Sequence, residues 1–518
     1  MISGILNSLD GQHFDVAIIG AGINGASAAQ HISAAGYRVL IVDQEDFANG
    51  ASSRSSRLLH CGLRHLANGS SVYEILMRPD KLLRSLKTVR DDMVARDEIV
   101  QTIPDRVKAI NFCLPIYQSD TYAPWHLDSA FAMLRLSSPA GVPLDYRRYS
   151  ANQLDQVPIA PWFRDVEQLR SVVVFREYIF DWPERIALDA LFDARRMGAE
   201  VHNYVKVVSL RQDISKDIWK LKLQDVSKKD NVQEVTSTLV LNLSGAWVDT
   251  VVGSTGQNTS QKCMGIKGIH IAVQLPPEFI DWGIFTYNSL GEPLYCLPWR
   301  GIHYVGLTRT PHMGDASGVF ATDQEIDWML RETNRCLPAL GLTRTDILYS
   351  WAGVNPLTYD VEEPMGSREI KIHDSSGDGL KGMLTLTGGA ISTHRRVANR
   401  LLDRVRAVLP PSGSGQEICY QSAYRSAISK GTNSSGHIGK ELLDEITRSV
   451  QDENPANLSD LLLRRLGVGW DADQGRELVD QIAAHAALDF GWSDAQIKSE
   501  INSYHKILAK NRRTPSAR

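Results

Sequence analysis

Phe14-Asp15-Val16-Ala17-Ile18-Ile19, running directly into Gly20-Ala21-Gly22-Ile23-Asn24-Gly25, decides how the start of this 518-residue chain is read. The first six residues are mostly apolar and rich in β-branched side chains, as a buried strand requires, and a GxGxxG pattern follows without a spacer. Ala26, Ala28 and Ala29 suit a helix packed closely on a sheet; Gly36 stops it, and Arg38-Val39-Leu40-Ile41-Val42 reads as a second strand ending at Asp43. The unit is a complete βαβ. In it Gly20 permits a tight turn, Gly22 lets the backbone approach a pyrophosphate, and Gly25 lets helix and strand pack closely. The first amides of the helix add hydrogen-bond donors and the positive end of its dipole. Asp43 can accept hydrogen bonds from both hydroxyls of a ribose, and would repel a 2′-phosphate, so a dinucleotide is expected and NADP is disfavoured.

The rest of the composition bounds the class. Hydrophobic residues make up 43% and charged residues 22%, as in an ordinary globular protein, which argues against fibrous or long disordered segments. A formal charge of −4, with basic residues spread along the chain, gives no footprint for nucleic acid. The length allows two or three domains. Met1 to Asp10 lacks a basic leader and no run approaches the ~20 apolar residues of a membrane span, so a cytoplasmic protein is expected. Cys61, Cys113, Cys263, Cys296, Cys336 and Cys419 contain no CxxC pair, and neither a metal site nor a disulfide framework is signalled.

The segment after Asp43 separates the two common dinucleotides. NAD dehydrogenases rarely follow the second strand with a loop rich in Ser and Arg, and here it reads Gly50-Ala51-Ser52-Ser53-Arg54-Ser55-Ser56-Arg57-Leu58-Leu59-His60-Cys61-Gly62-Leu63-Arg64-His65-Leu66. Clustered hydroxyls and amides of this kind suit a pyrophosphate and the edges of a flavin, although a solvated loop shares the composition. The run from Asp15 to Leu66 resembles the flavin-linked glycerol-3-phosphate dehydrogenases, which carry a GGGINGAG-type turn followed by TSSxSSKLIHGGLRYL. Matches continue in order. Asn242-Leu243-Ser244-Gly245-Ala246-Trp247 corresponds to NATGPW, Lys267-Gly268-Ile269-His270 to KGSH, Trp351-Ala352-Gly353-Val354-Asn355-Pro356-Leu357 to YSGVRPL, and Gly388-Gly389-Ala390-Ile391-Ser392-Thr393-His394-Arg395 to GGKLTTYR.

That resemblance implies FAD, held without a covalent bond, on a discontinuous Rossmann-like α/β domain comprising residues 1–80, 170–255 and 380–408. It further implies a mixed β-sheet substrate domain, residues 81–169 and 256–379, and a small helical C-terminal domain, residues 416–518. Beside Gly20, Gly22, Asn24, Gly25 and Asp43, it places Ser52, Ser53, Ser56, Arg57, Leu58, His60, Gly62 and Leu63 at the cofactor. Val207, Ser244, Gly245, Gly388, Gly389, Ser392 and Thr393 join them. Local patterns agree in part: Ile186 to Met197 has helical apolar spacing, Glu200 to Leu210, Trp219 to Leu223 and Leu239 to Leu243 read as strands, and residues 266–308 read as an antiparallel sheet. Pro410 to Gly415 has the composition of a linker. Ser459 to Leu466, Glu477 to Leu488 and Ser493 to Leu508 read as helices, the last opened by a Ser493/Gln496 capping box. The C-terminal domain carries no catalytic constellation and reads as a packing module.

Oxidation of an alcohol by flavin requires the carbinol C–H aimed at the flavin and a base for the hydroxyl proton. His270, His65 and His60 are the imidazoles to hand. His270 is preferred because the resembled family carries a histidine there; a core histidine is the alternative. Arg64 and Arg368 match arginines that the family uses around its substrate, and surface arginines are again the alternative. Three positions depart from the pattern: Asn355 stands for its arginine, Ala390 for its lysine and His65 for its tyrosine, while Arg309 replaces an acid. Losing two charge-assisted hydrogen bonds costs on the order of 3 to 6 kcal/mol, so glycerol-3-phosphate bound in the family's way is not expected. A differently placed polyol, sugar, phosphorylated or hydroxy-acid substrate is expected, its anionic group meeting Arg309, Arg368 or Arg395. An amine or hydroxy-acid oxidase, or a flavin-binding subunit without turnover, are the competing readings. The resemblance also implies a quinone or other electron acceptor at a peripheral membrane surface; membrane contact and a homo-oligomer stay open. The apolar stripe from Trp125 to Leu134 reads as core, and Cys61, where the family has glycine, as a buried filler.

Overall fold

The apolar run that opens the chain forms the strand His13–Ile19, buried from Val16 onward. The computed structural model describes residues 6–63, 79–120, 124–137, 141–257, 259–420 and 438–514. His13–Ile19 lies inside a sheet ordered Lys371–Asp374, Met383–Thr387, Val232–Asn242, His13–Ile19, Val39–Val42, Glu200–His202. All neighbours in it are parallel except the first pair. Both faces are covered, so these strands are continuously apolar rather than alternating. Val16, Ile18, Val39 and Ile41 pack beneath the helices Ile23–Ala34, Pro183–Arg196 and His394–Arg406. Ala17, Ile19, Leu40 and Val42 face the other way, onto Trp219 and Leu221 of an antiparallel annex, Val205–Asp213 and Ile218–Asp225.

A second, ten-stranded sheet runs Thr310–His312, Cys263–Val273, Ile302–Gly306, Pro293–Trp299, Trp282–Tyr287, Val107–Tyr117, Leu169–Phe180, Leu58–Leu59; Ile347–Thr358 pairs with Cys263–Val273, and Arg147–Ser150 with Leu169–Phe180. It is mixed, because Trp282–Tyr287 runs parallel to Val107–Tyr117. Ile269, Ile271, Ala352 and Val354 pack on one face with Ile326, Met329 and Leu330 of helix Asp323–Cys336. The opposite face carries Ala272, Tyr349 and Trp351 and meets Leu58, Cys61 and Leu63 of the Ser/Arg loop. Leu127, Ala130, Phe131 and Leu134 of helix Pro124–Ser137 join that second core, whereas Trp125, the first residue of the stripe read as core, is exposed.

Several local readings change. Leu169–Phe180 pairs with Val107–Tyr117 in the second sheet, so the chain returns to the parallel sheet at helix Pro183–Arg196 and not at residue 170. Lys371–Asp374, expected in the substrate domain, edges the parallel sheet. The expected strand from Glu200 to Leu210 is broken after His202, and Tyr204 has φ +55°. The Pro/Gly/Ser linker lies bonded across the nucleotide-type fold: Tyr37 donates to the Leu409 carbonyl at 2.7 Å, and the amides of Gly413 and Gln416 donate to Gly36 and Ala34.

The C-terminal helices Lys440–Asp452, Val479–Phe490 and Asp494–Asn511 close around Leu442, Ile446, Ile482, Tyr504 and Leu508. Ser493 caps the last of them together with Gln496. Residues 459–466 form short irregular helical turns rather than the regular helix their spacing suggests. Among the described residues, no helix is long and apolar enough to cross a membrane, and no group of His, Cys, Asp and Glu is placed to hold a metal ion.

Candidate functional site

Two glycine turns stand back to back at the C-terminal ends of adjacent parallel strands. Gly20 has φ +102°, and a Cβ there would lie 2.7 Å from the Leu243 carbonyl oxygen and from the Ser244 Cα. A Cβ on Gly25 would lie 1.9 Å from the Gly20 oxygen, so the helix can start this close to the strand only without a side chain. Ser52 reaches the first turn of that helix: its hydroxyl accepts the Ile23 amide at 3.0 Å, beside Gly22. An anion received by the helix N-terminus would meet these same groups. Asn24 donates to the Gly389 carbonyl at 3.2 Å, and its Oδ1 is buried without a hydrogen-bond partner among the described residues.

Asp43 ends the second strand and accepts the amides of Ala21 at 2.7 Å and Glu45 at 2.9 Å. Burial outweighs those two bonds and raises its pKa to about 7. Gly388 and Gly389 both have positive φ, and the Gly388 amide donates to the Pro356 carbonyl at 3.0 Å, tying this loop to the second sheet. The Thr393 hydroxyl closes the turn onto Ala390, with half-buried Ser392 between them, ahead of helix His394–Arg406. Ser244 donates to the Asn242 side chain at 2.6 Å, and Gly245, φ +61°, faces the Pro356 ring.

The Ser/Arg loop is fixed partly by its own side chains. Ser53 donates to the Ala48 carbonyl at 2.5 Å, which makes it a turn-former. Arg57, expected at the cofactor, has its guanidinium buried elsewhere: it donates to both oxygens of Glu184 at 3.1 and 2.8 Å and to the Ser53 carbonyl at 3.0 Å. It also lies 4.1 Å from the Trp299 ring centroid and 4.4 Å from that of Trp470. The Ser56 carbonyl accepts the Tyr304 phenol at 2.6 Å. Leu58 and Leu59 leave the loop as an edge strand opposite Ile179 and Tyr178. Half-buried His60 faces the Tyr295 ring at 5.8 Å, followed by buried Cys61, Gly62 with φ +84°, and buried Leu63. Arg64 and His65 lie outside the described residues. Val207 packs in the antiparallel annex; it is Val205 whose amide donates to the Asp43 carbonyl, at 2.8 Å.

The register of the strands Cys263–Val273 and Ile347–Thr358 builds a floor. Asn355 stands opposite Ile266, Gly353 opposite Gly268, and Trp351 opposite His270. Directly opposed residues share a face, so two adjacent glycines leave a bare patch between Asn355 and His270. Arg54 covers Gly353, and Leu307 and Thr308 border Gly268. Asn355 is exposed. His270 is buried, stacked on Trp351 at 4.8 Å, and neither ring nitrogen has a hydrogen-bond partner among the described residues. Burial, with the Arg57 charge nearby, lowers its pKa to about 3 and keeps the imidazole neutral.

The three candidate cations separate. Arg309 is half-buried beside this floor and makes no ion pair with a described residue. Arg368 is exposed on the loop that returns toward Gly388. Arg395 is withdrawn as an anion contact: it is buried against Glu98 at 3.0 Å and Thr102 at 2.7 Å, and lies 3.7 Å from the Tyr420 ring centroid. Sequence reading passed over Arg54, whose half-buried guanidinium lies in the fields of Glu45 and Arg464 and has no hydrogen-bond partner among the described residues. It occupies the variable position of the Ser-rich pattern, so the pattern gave no signal for it.

This architecture has known counterparts. A glycerol-3-phosphate dehydrogenase of Synechocystis is 26% identical, over 96% of this chain and 97% of its own length. The crystal structure of a glycerol-3-phosphate dehydrogenase from Bacillus halodurans complexed with FAD superposes with a TM-score of 0.72 at 20% identity, covering 98% of this chain and 97% of that one. An L-alpha-glycerophosphate oxidase from Mycoplasma pneumoniae with FAD bound shares the fold at a TM-score of 0.58 and 12% identity, covering 79% and 98%. The model of the FAD dependent oxidoreductase family matches residues 15–395, and this chain is a member of that family.

Proposed function

We propose that this FAD-dependent oxidoreductase oxidises a CH–OH group of a small polar substrate, and that the substrate differs from glycerol-3-phosphate in how its anionic group is held. Bound FAD is the two-electron acceptor for such chemistry. Fit to FAD is supported by the back-to-back turns at Gly20 and Ser244, where a Cβ would collide, and by the orphaned Asn24 Oδ1 next to Gly389. The helix amides at Ile23 with Ser52 would hold the diphosphate, Asp43 the ribose, and the Gly388–Thr393 turn the flavin end. In this reading the parallel sheet is the cofactor-binding domain and the mixed sheet the substrate domain.

The observation that carries the substrate reading is the floor of Gly268 and Gly353 flanked by exposed Asn355. Arg54 and the Leu307–Thr308 segment line the two glycines, and an uncharged amide stands beside them where the resembled pattern has an arginine. Arg309 and Arg54 are the half-buried cations there and Arg368 is a further contact, while Arg64 and His65 keep the substrate roles that the resemblance implies. His270 is the base of this proposal: one of its two unpaired nitrogens is free to accept the hydroxyl proton, and burial beside the Arg57 charge keeps the imidazole unprotonated until substrate binds. His60 is the alternative imidazole. Electrons then leave to a quinone or another acceptor.

Anaerobic mixing of the purified holoprotein with polyols, sugar phosphates, hydroxy acids and amines, followed by flavin absorbance, tests the proposal. Bleaching by an alcohol substrate with slow reoxidation in air is expected. Rapid bleaching by glycerol-3-phosphate itself would overturn the altered-substrate reading, and peroxide release with an amine would replace the dehydrogenase by an oxidase.

A further inference from the structure

The joint between the C-terminal helices and the Ser/Arg loop is built from buried charges. Asp46, three residues beyond Asp43, is 1% exposed; Arg465 is 0% and Arg464 5% exposed. Arg465 Nη2 donates to Asp46 Oδ1 at 2.9 Å and its Nη1 to Oδ2, which Arg464 Nε also reaches. Arg464 continues to Asn49 Oδ1 at 3.1 Å and to Asp460 at 2.5 Å, and Asp460 accepts the Tyr204 phenol at 2.9 Å. At the other end of the loop, Arg57 is stacked against Trp470, whose carbonyl accepts the Tyr349 phenol at 2.6 Å and whose indole donates to the Leu463 carbonyl at 3.1 Å.

Burying ions costs several kcal/mol each before pairing, and an apolar joint of similar volume is often at least as stable. A paired network contributes a single register instead, since any slip leaves a buried charge uncompensated. Here the register that is set belongs to residues 46–57, the loop between Asp43 and Arg57 that carries Ser52 to the Ile23 amide. Within the cofactor-binding unit, the start of that loop is held by buried Phe47, by the Ala48 amide on the Ala21 carbonyl at 3.0 Å and by Asn203 on Asp46 at 2.8 Å, beside the Ser53 and Arg57 bonds already described, and the C-terminal charges add to these anchors at Asp46 and Asn49.

We propose that the C-terminal domain is part of the cofactor site: Arg464, Arg465 and Trp470 are positioning residues that hold the 46–57 loop in the shape that receives FAD, so FAD binding and docking of the C-terminal helices are coupled. The inference rests on the cofactor placement proposed above. Coupling of this kind is reciprocal, so FAD must strengthen the joint by the factor by which the joint strengthens FAD.

The test uses the full chain stripped of flavin and retitrated with FAD by fluorescence, alongside melting temperature and amide hydrogen exchange. Arg465→Met and Trp470→Phe should weaken FAD binding by about tenfold. Asn49→Asp, which keeps an oxygen for Arg464 but loses the bond that Asn49 donates to Glu45 at 2.7 Å, is the control for Asn49→Ala, which loses both and should weaken FAD binding by a few fold more than the control. In the unsubstituted protein, FAD should slow exchange of the amides in 453–470. Variants that melt lower yet bind FAD unchanged would reduce the joint to packing and overturn the inference, as would exchange in 453–470 that ignores FAD. If Arg465→Met does not fold, Asn49→Ala and the exchange experiment still decide. Failure of the unsubstituted protein to take up FAD would instead overturn the cofactor placement itself.

Discussion

Arg54 rests on the bare backbone of Gly353: a Cβ on Gly353 would stand 2.8 Å from the Arg54 Cβ and 3.0 Å from its carbonyl oxygen. The loop that follows Asp43 and the floor of the second sheet therefore touch through a position that tolerates only hydrogen. Both partners are backbone or the root of a side chain, so neither can swing aside. Gly353→Ala should destabilise the chain by about 1–3 kcal/mol, the usual cost of overpacking, and loosen FAD as the loop is pushed off. Gly377→Ala, where a Cβ would meet nothing within 4 Å, is the control. Melting temperature and flavin release on dilution check both; equal behaviour of the two variants would remove the contact from the account.

Asp43 gives a pH dependence with a definite sign. Its pKa is raised to about 7 by burial, so near neutrality the carboxyl is partly protonated before cofactor arrives. Ribose hydroxyls donate to the ionised form, hence FAD affinity should rise between about pH 6 and about pH 8 as Asp43 loses its proton. For stability of the flavin-free chain the sign is opposite: a folded value above the unfolded one favours the folded state at acid pH, and that contribution is lost as pH rises through about 7. Asp43→Asn should flatten both profiles, read by FAD titration and thermal melting across the range.

What the sequence made legible follows the same physical lines. Gly20 and Gly25 were readable because a backbone collision admits one residue type, and that answer does not depend on distant partners. Arg57 was expected at the cofactor through the resemblance alone, while its side-chain partner Glu184 lies 127 residues further on and Trp470 comes from the other end of the chain, which no local pattern displays. Leu169–Phe180 has an apolar pattern that suits either sheet; only the pairing with Val107–Tyr117 decides. Pro410 to Gly415 has no helical or strand preference of its own, and its order comes from acceptors at Gly36 and Ala34, which composition cannot display. Arg54 was missed because a pattern identifies what recurs, and its guanidinium sits where the pattern is free.

Asn355 and Ala390 allow the substrate reading to be reversed by design. Asn355 is exposed beside Gly353, and Ala390 follows the Gly388–Gly389 turn that is bonded to Pro356. Asn355→Arg with Ala390→Lys restores two cations to a region where Arg309 and Arg54 are half-buried and make no ion pair with a described residue. Each hydrogen bond to a charged group contributes about 1.5–3 kcal/mol, so the KM for glycerol-3-phosphate should fall by at least about tenfold in the double variant. Arg309→Ala in the unsubstituted background should raise KM for an anionic substrate and leave a neutral polyol unaffected. Steady-state dye reduction measures both, and loss of activity on neutral and anionic substrates alike would make Arg309 structural.

Glu177 supplies a stability switch on the segment that follows the Ser/Arg loop. One of its carboxylate oxygens accepts the Cys61 amide at 2.8 Å; the other is buried without a hydrogen-bond partner among the described residues, with Arg96 Nε 3.9 Å away. Burial dominates, and raises the pKa to about 7 against the pull of Arg96. Because the folded value exceeds the unfolded one, the associated stability is complete at acid pH, below the ordinary carboxyl range, and declines as pH rises through about 7. The loss at alkaline pH is on the order of 3 kcal/mol. Glu177→Gln keeps a carbonyl oxygen for the Cys61 amide and removes the titration. Its melting temperature should track that of the unsubstituted chain near about pH 5 and exceed it near about pH 8. Parallel melting curves across that interval would mean that the Glu177 carboxyl does not ionise within it, and that another group sets the pH dependence of the fold.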